Sequence, residues 1–277
     1  MYAQIIVPLN GQDRSARALI PGLRLAAASD APLRVVGVAP GDVQIASLRQ
    51  SLEEQLAEAV ESEQPDVQSS VVIHHEGEAW QGIVDELEAV PGSLICMASR
   101  GRRRTASLCG STVDAVLRQI TTPLLLVGPS VDVQRFDLSS PILVCVDGSS
   151  TSESILPIAA SWSIAFRLGL TVATVMQPSM REAREDGDAL VDSAYVHWVA
   201  DKLAADTGRE VDYDVLHSSD VAGALIDHAR VRGVSAIAAA THGHTGLHRV
   251  TAGSVTATLI RRAEQPVLTY RPLALLR

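Results

Sequence analysis

Aromatic residues are scarce in this sequence, at 3% of 277 residues, and acidic residues outnumber basic ones, giving a formal net charge of −9. Proteins that bind nucleic acids usually present a basic surface to the phosphates or aromatic rings on which bases stack. The one basic cluster, Arg100 with Arg102, Arg103 and Arg104, is short and local. We therefore expect no nucleic-acid partner.

Long apolar runs and disulfide patterns are also lacking. A membrane-spanning helix needs about 20 consecutive apolar residues, and no run approaches that length. The three cysteines do not suggest a disulfide framework, because Cys96 and Cys145 lie in strand-like runs where cysteine is usually a small buried hydrophobe. The N-terminal stretch is typical of a β-strand rather than a secretion signal. We expect no membrane contact and a reducing, cytoplasmic location.

A motif that occurs twice is the main positive feature. Gly101 is followed after eight residues by Gly110-Ser111, and Gly243 is followed after nine residues by Gly253-Ser254. Each copy begins with an apolar run that ends in a polar residue and glycine, and each ends with a proline-led apolar run: Asn10-Gly11 and Pro123–Val127, then Asp147-Gly148 and Pro266–Leu268. An offset near 140 between all these pairs indicates a duplicated domain.

Short apolar runs alternate with longer helical stretches within each copy, which is typical of βαβ units and a parallel sheet covered by helices. The pattern predicts an α/β protein with two tandem five-stranded parallel-sheet domains, residues 1–130 and 140–277, separated by a polar linker over 129–140. It also predicts single helices over Ala16–Ala28 and Glu153–Phe166.

Two segments of the second copy predict a ligand site. Asp147-Gly148-Ser149 follows its first strand, and Ala240 is followed after its fourth strand by the loop that leads to Gly253-Ser254. Ligands of open parallel sheets bind outside the carboxyl ends of strands, and glycines before a helix start let backbone N–H groups approach a phosphate. Neither the Gly-x-x-x-x-Gly-Lys spacing of a P-loop nor a dinucleotide fingerprint is present.

With these motifs the whole chain resembles a tandem universal stress protein. The family pattern is Asp-Gly-Ser after the first strand, then Gly-x-x-Gly, nine residues and Gly-Ser after the fourth. The second copy departs from it only at Ala240, which replaces the first glycine. The resemblance implies a Rossmann-like, adenine nucleotide alpha hydrolase-like fold, with the copies paired through their last strands as an internal pseudo-dimer and a further homodimer possible. It also implies a stress-response or signalling role.

The resemblance also implies a bound adenine nucleotide, ATP or else AMP or ADP, with Mg²⁺ held only through its phosphates. The implied residues of the second copy are Asp147 and Val175 on the adenine side, Cys145 and Ala240 at the ribose, and Gly243, Gly253, Ser254 and Val255 at the phosphates. The first copy is more degenerate, because Asn10 replaces the aspartate and its loop is one residue shorter. Its retained residues are Asn10, Val38, Gly101, Gly110 and Ser111.

Three functions are compatible with these features: a nucleotide-binding module that acts by conformational or partner change, an interaction protein without nucleotide, and a slow ATPase or phosphotransferase. We favour the first, bound mainly in the second copy. No general base or pair of metal-binding carboxylates is evident, so we expect no catalytic residues and no fast turnover. His242, His244 and His248 share one loop without a carboxylate or cysteine, and we expect no metal site there.

Overall fold

The computed structural model describes residues 2–39, 41–75, 77–99, 111–177, 188–241 and 254–272, with the backbone alone described at 188–192. The elements of the first half are β1 (Ile5–Pro8), α1 (Asp13–Ala16), α2 (Leu19–Ser29), β2 (Leu33–Ala39), α3 (Asp42–Glu63), β3 (Ser69–His75), α4 (Ala79–Ala89), β4 (Leu94–Ala98), α5 (Ser111–Gln119) and β5 (Leu124–Val127).

The second half repeats this order of elements. They are β6 (Ile142–Cys145), α6 (Ser150–Glu153), α7 (Leu156–Phe166), β7 (Leu170–Met176), α8 (Asp188–Thr207), β8 (Val211–His217), α9 (Val221–Arg232), β9 (Ala236–Ala240), α10 (Ser254–Arg262) and β10 (Val267–Tyr270). No helix among the described residues is long and apolar enough to cross a bilayer.

The ten strands of the described residues form one sheet, in the order β3-β2-β1-β4-β5-β10-β9-β6-β7-β8. Pairing is parallel within each half, and the predicted α/β fold with two parallel five-stranded halves is confirmed. In each half the chain order reverses next to the first strand, between β1 and β4 and between β6 and β9. These reversals are the points where open α/β sheets bind ligands.

The halves meet through their last strands, as the resemblance implied. Strands β5 and β10 pair antiparallel, with Leu125 opposite Leu268, and both side chains are fully buried. Alternate residues of a strand face opposite sides of the sheet, so Ile5 and Ile6 enter two different apolar clusters. Each cluster takes residues from both halves. The pseudo-dimer therefore has a hydrophobic core that is continuous across its interface.

At this junction, a residue of each half contacts the end of a helix that belongs to the other half. Arg271, just after β10, donates to the carbonyls of Leu117 (3.3 Å) and Arg118 (2.8 Å) at the end of α5. Gly128, just after β5, lies so close to the end of α10 that a Cβ there would be 1.9 Å from the Ile260 carbonyl oxygen. Burial, together with the nearby Arg118, lowers the pKa of the Arg271 guanidinium.

The segment between the halves is packed, although its composition predicts a simple polar linker. Val131 and Phe136 are both only 3% exposed. Arg17 donates to the Pro129 carbonyl at 2.7 Å, and Arg24 bonds the carbonyl of Phe136 while its Nε lies 2.7 Å from Glu63. Two apolar anchors, Arg17 at the end of α1 and Arg24 of α2 thus hold this segment against the first half.

Both single helices predicted near the start of each half are interrupted. The first divides into α1 and α2, and the second into α6 and α7. Proline lacks the N–H that a continuous helix would bond to the residue four positions earlier. In a continuous helix the nitrogen of Pro21 would have to donate to the Arg17 carbonyl, and that of Pro157 to the Glu153 carbonyl. Each helix break lies within the turn that leads to its proline.

Candidate functional site

Asp147 builds a tight turn at the carboxyl end of β6. Its Oδ1 accepts hydrogen bonds from the Ser149 N–H (3.0 Å) and hydroxyl (2.6 Å), and its own N–H donates to Ser152 Oγ at 3.1 Å. Ser149 Oγ in turn accepts from the Ser152 N–H at 3.1 Å, which caps α6. Gly148 has a φ of +80°, a conformation that L side chains rarely adopt. The turn holds an exposed carboxylate beside the point where strand order reverses.

Asn10 builds the same turn at the carboxyl end of β1. Its Oδ1 accepts from the Gln12 N–H (3.2 Å) and the Ser15 hydroxyl (2.8 Å), and its N–H donates to Ser15 Oγ at 3.2 Å. Gly11 has a φ of +74°. Since an amide oxygen accepts these bonds as a carboxylate oxygen does, the halves differ here in charge and not in backbone shape.

The end of β9 and the start of α10 lie on the other side of the second-half reversal. Ala240 is buried as the last residue of β9, and its carbonyl accepts from the Thr256 hydroxyl at 2.7 Å. This bond fixes the first turn of α10 against the strand end. Ser254, the first residue of α10, is exposed and Val255 packs against the apolar cluster. In the first half, Ser111 is likewise the exposed first residue of α5.

Three other predicted residues belong to strands. Val38 and Val175 are half-buried near the ends of β2 and β7, at corresponding positions of the two halves. Cys145, the last residue of β6, is buried among apolar side chains, and burial raises the pKa of its thiol to about 12. The thiol is therefore neutral at physiological pH and directed into the core.

A cavity of about 350 Å³ lies beside the Asn10 turn of the first half. It brings Asn10 together with Val38, two of the predicted ligand contacts. The remaining lining residues are Gly11 of the turn and four residues of α3, which sequence motifs did not indicate: Gln44, Ser47, Leu48 and Ser51.

Tyr195 of α8 is a further residue that the motifs did not indicate. Its hydroxyl donates to Glu153 Oε1 at 3.0 Å, so it bridges α8 to the end of α6. Burial raises the pKa of its phenol above the usual range, the charges of Glu153 and Asp147 add to this, and the Gly148 backbone N–H opposes it. Only the scarcity of aromatic residues in the sequence could have drawn attention to it.

Several predicted residues lie outside the described part of the chain. They are Gly101, Gly110, Gly243 and Gly253 of the glycine motifs and His242, His244 and His248 of the histidine loop. Among the residues that the structure does describe, no group of three histidine, cysteine or acidic side chains is placed to hold a metal ion.

Known proteins with the same organisation share this chain's fold. A universal stress protein from Archaeoglobus fulgidus matches with a TM-score of 0.68 at 18% identity, covering 98% of this chain and 99% of that one. A functionally unknown protein from Pseudomonas aeruginosa matches with a TM-score of 0.65 at 14% identity, covering 99% and 94%. At such identities the likeness shows the fold alone.

The sequence comparisons identify the family as well as the fold. Universal stress protein Slr1230 of Synechocystis is 25% identical over 215 residues, which cover 76% of this chain and 68% of that protein. The model of the Universal stress protein family matches twice, over residues 1–128 and 139–271. The chain therefore belongs to the Universal stress protein family, and it carries the family's domain in two copies.

Proposed function

We propose that this chain is a stress-response protein that binds an adenine nucleotide, ATP or else ADP or AMP, mainly in its second half. The observation that carries the proposal is the Asp147 turn, which presents a carboxylate where the strand order reverses between β6 and β9. Ala240 and the start of α10 lie across the same reversal. We further propose that residues 1–130 and 140–277 are the two domains of the chain, with the nucleotide motif degenerate in the first and better preserved in the second.

The described residues suit the two ends of such a ligand. A carboxylate accepts hydrogen bonds only, so Asp147 fits the amino group of adenine or a ribose hydroxyl. The first N–H groups of a helix have no partner within the helix and favour anions, so the start of α10 with the Ser254 hydroxyl fits phosphate. Mg²⁺ would reach the site through the phosphates, and its role there would be to offset their charge.

Replacing Asp147 with alanine should weaken nucleotide binding to the chain by about ten-fold to a hundred-fold, because hydrogen bonds to charged groups contribute about 1.5–3 kcal/mol. Asn10→Ala should have a smaller effect, since Asn10 lacks the charge. Isothermal titration calorimetry with ATP measures both. Asp147→Asn is the matched control, because it keeps the turn acceptor seen at Asn10 and removes only the charge. Loss of affinity in Asn10→Ala alone would show that the first half is the main site.

Hydrolysis of the bound nucleotide should be slow. Backbone and hydroxyl donors hold the ground state and the transition state about equally, and uniform binding does not accelerate chemistry. We expect a kcat for phosphate release far below the ordinary enzyme value of about 10 per second. A colorimetric phosphate assay on the full chain, with Asp147→Ala as the background, checks this. A rate near the ordinary value that disappears in Asp147→Ala would make the protein an ATPase.

A further inference from the structure

Tyr195 of α8 stands where the first half has the much smaller Ser51. Helices α3 and α8 follow the second strand of their halves, and their buried side chains match in pairs that are 144 residues apart, Leu52 with Val196 and Leu56 with Ala200. The same spacing joins Ser51 to Tyr195. Each residue therefore occupies the helix position beside the glycine turn of its own half.

Ser51 and Tyr195 differ in how closely they approach the glycine turn of their own half. Ser51 Oγ would lie 3.2 Å from a Cβ at Gly11, and Ser51 lines the first-half cavity of about 350 Å³. A Cβ at Gly148 would meet no described atom within 4 Å, so no described side chain of α8 lies as close to Gly148 as Ser51 lies to Gly11. Tyr195 instead reaches the end of α6, with its hydroxyl 3.0 Å from Glu153 Oε1.

The position of this ring relative to Asp147 bears on ligand choice. The phenol bonds Glu153, the residue after Ser152, and Ser152 Oγ accepts the Asp147 N–H at 3.1 Å, so the ring ends beside the Asp147 turn. The hydroxyl proton is engaged by Glu153, which fixes the ring in place. A ligand amino group that donates to Asp147 would therefore have the ring beside it, and any bulky substituent on that nitrogen would compete with the ring for space.

We propose that Tyr195 is a specificity-determining residue, which restricts the second half to purine nucleotides with an unsubstituted amino group, whereas Ser51 leaves the first half open to larger bases. This inference rests on the proposed nucleotide binding and adds a size limit to it. The limit comes from the ring itself, because Tyr195 takes the helix position whose counterpart, Ser51, lines the cavity beside Asn10 in the first half.

The test compares ATP with N6-benzyl-ATP on the full chain by equilibrium dialysis. In Tyr195→Ser, the affinity of the second half for N6-benzyl-ATP should rise by about ten-fold or more, since removing an overpacked contact recovers that much, while the affinity for ATP changes little. Tyr195→Phe is the matched control. It keeps the ring and loses only the bond to Glu153, so it should reject N6-benzyl-ATP as the wild type does.

Ser51→Tyr is the converse variant and should lower the affinity of the first half for N6-benzyl-ATP by about ten-fold or more. If ATP binds and Tyr195→Ser handles both ligands as the wild type does, the size limit is wrong and nucleotide binding stands. If Tyr195→Phe accepts N6-benzyl-ATP as well as Tyr195→Ser does, the hydroxyl and not the ring decides, which also overturns the inference. If no variant and no wild-type chain binds ATP, the proposed function itself fails, and the inference with it.

Discussion

Gly128→Ala is expected to destabilise the chain by about 3 kcal/mol, the upper end of the roughly 1–3 kcal/mol that overpacking typically costs, because backbone lies on the other side of the contact. The added Cβ would lie 1.9 Å from the Ile260 carbonyl oxygen, so α10 and the segment after β5 would have to separate. Gly128 itself is buried and belongs to the contact between halves. The midpoint and slope of urea unfolding, followed by circular dichroism, measure the loss.

Gly169→Ala is the matched control for this variant. Gly169 has no positive φ, and a Cβ there would be 3.6 Å from the nearest atom, Pro141 Cβ, which is an ordinary van der Waals contact. The control should unfold within about 0.5 kcal/mol of the wild type, apart from the modest effect of replacing glycine itself. Equal stability of the two variants would mean that the close approach of Gly128 to Ile260 is relieved at no cost.

Leu268→Asp should destabilise both halves together. Leu268 is fully buried in β10 opposite Leu125, so the variant removes an apolar side chain and places a carboxyl in the sheet interior. Losses of about 4–5 kcal/mol are typical of such a change, which is a large share of the roughly 5–15 kcal/mol that stabilises a protein. Hydrogen exchange should therefore accelerate in β5 and β4 of the first half as well as in the second half.

Tyr213→Asp is the comparison for that experiment, because Tyr213 lies on the edge strand β8 and is 42% exposed. It should leave exchange in the first half unchanged. Limited proteolysis gives an independent result. If cleavage within 129–140 released two stable halves that did not associate, the strand pairing would contribute little to stability and the expectation for Leu268→Asp would be wrong.

Much of this fold follows from the sequence because its signals are local and repeated. Strands such as β4 and β9 are buried on both faces, so their apolar runs can be recognised without knowing their neighbours. The places of Asp147 and Asn10 could also be predicted, since each lies two residues after the end of a strand and precedes a glycine. The duplication then located the second copy of each strand and of the glycine turn found in the first.

Other features depend on contacts between distant parts of the chain and have no local signal. Tyr195 meets Glu153 across 42 residues, and Arg24 reaches the Phe136 carbonyl across 112. Gly128 follows a strand as many loop glycines do, and only the approach of α10 from the other half shows why glycine is needed. The helix breaks were missed although Pro21 and Pro157 are visible in the sequence.

The residues after β5 and β10 make the two halves unequal partners. Gly128 and Arg271 occupy corresponding places, 143 residues apart, yet one lets the backbone approach a helix end and the other reaches a helix end with a long side chain. If two second halves paired, Arg271 would stand where α10 leaves room for glycine alone. If two first halves paired, the carbonyls of Leu117 and Arg118 would lose their donor. When the two halves are produced as separate polypeptides, each should therefore pair with the other half in preference to a second copy of itself.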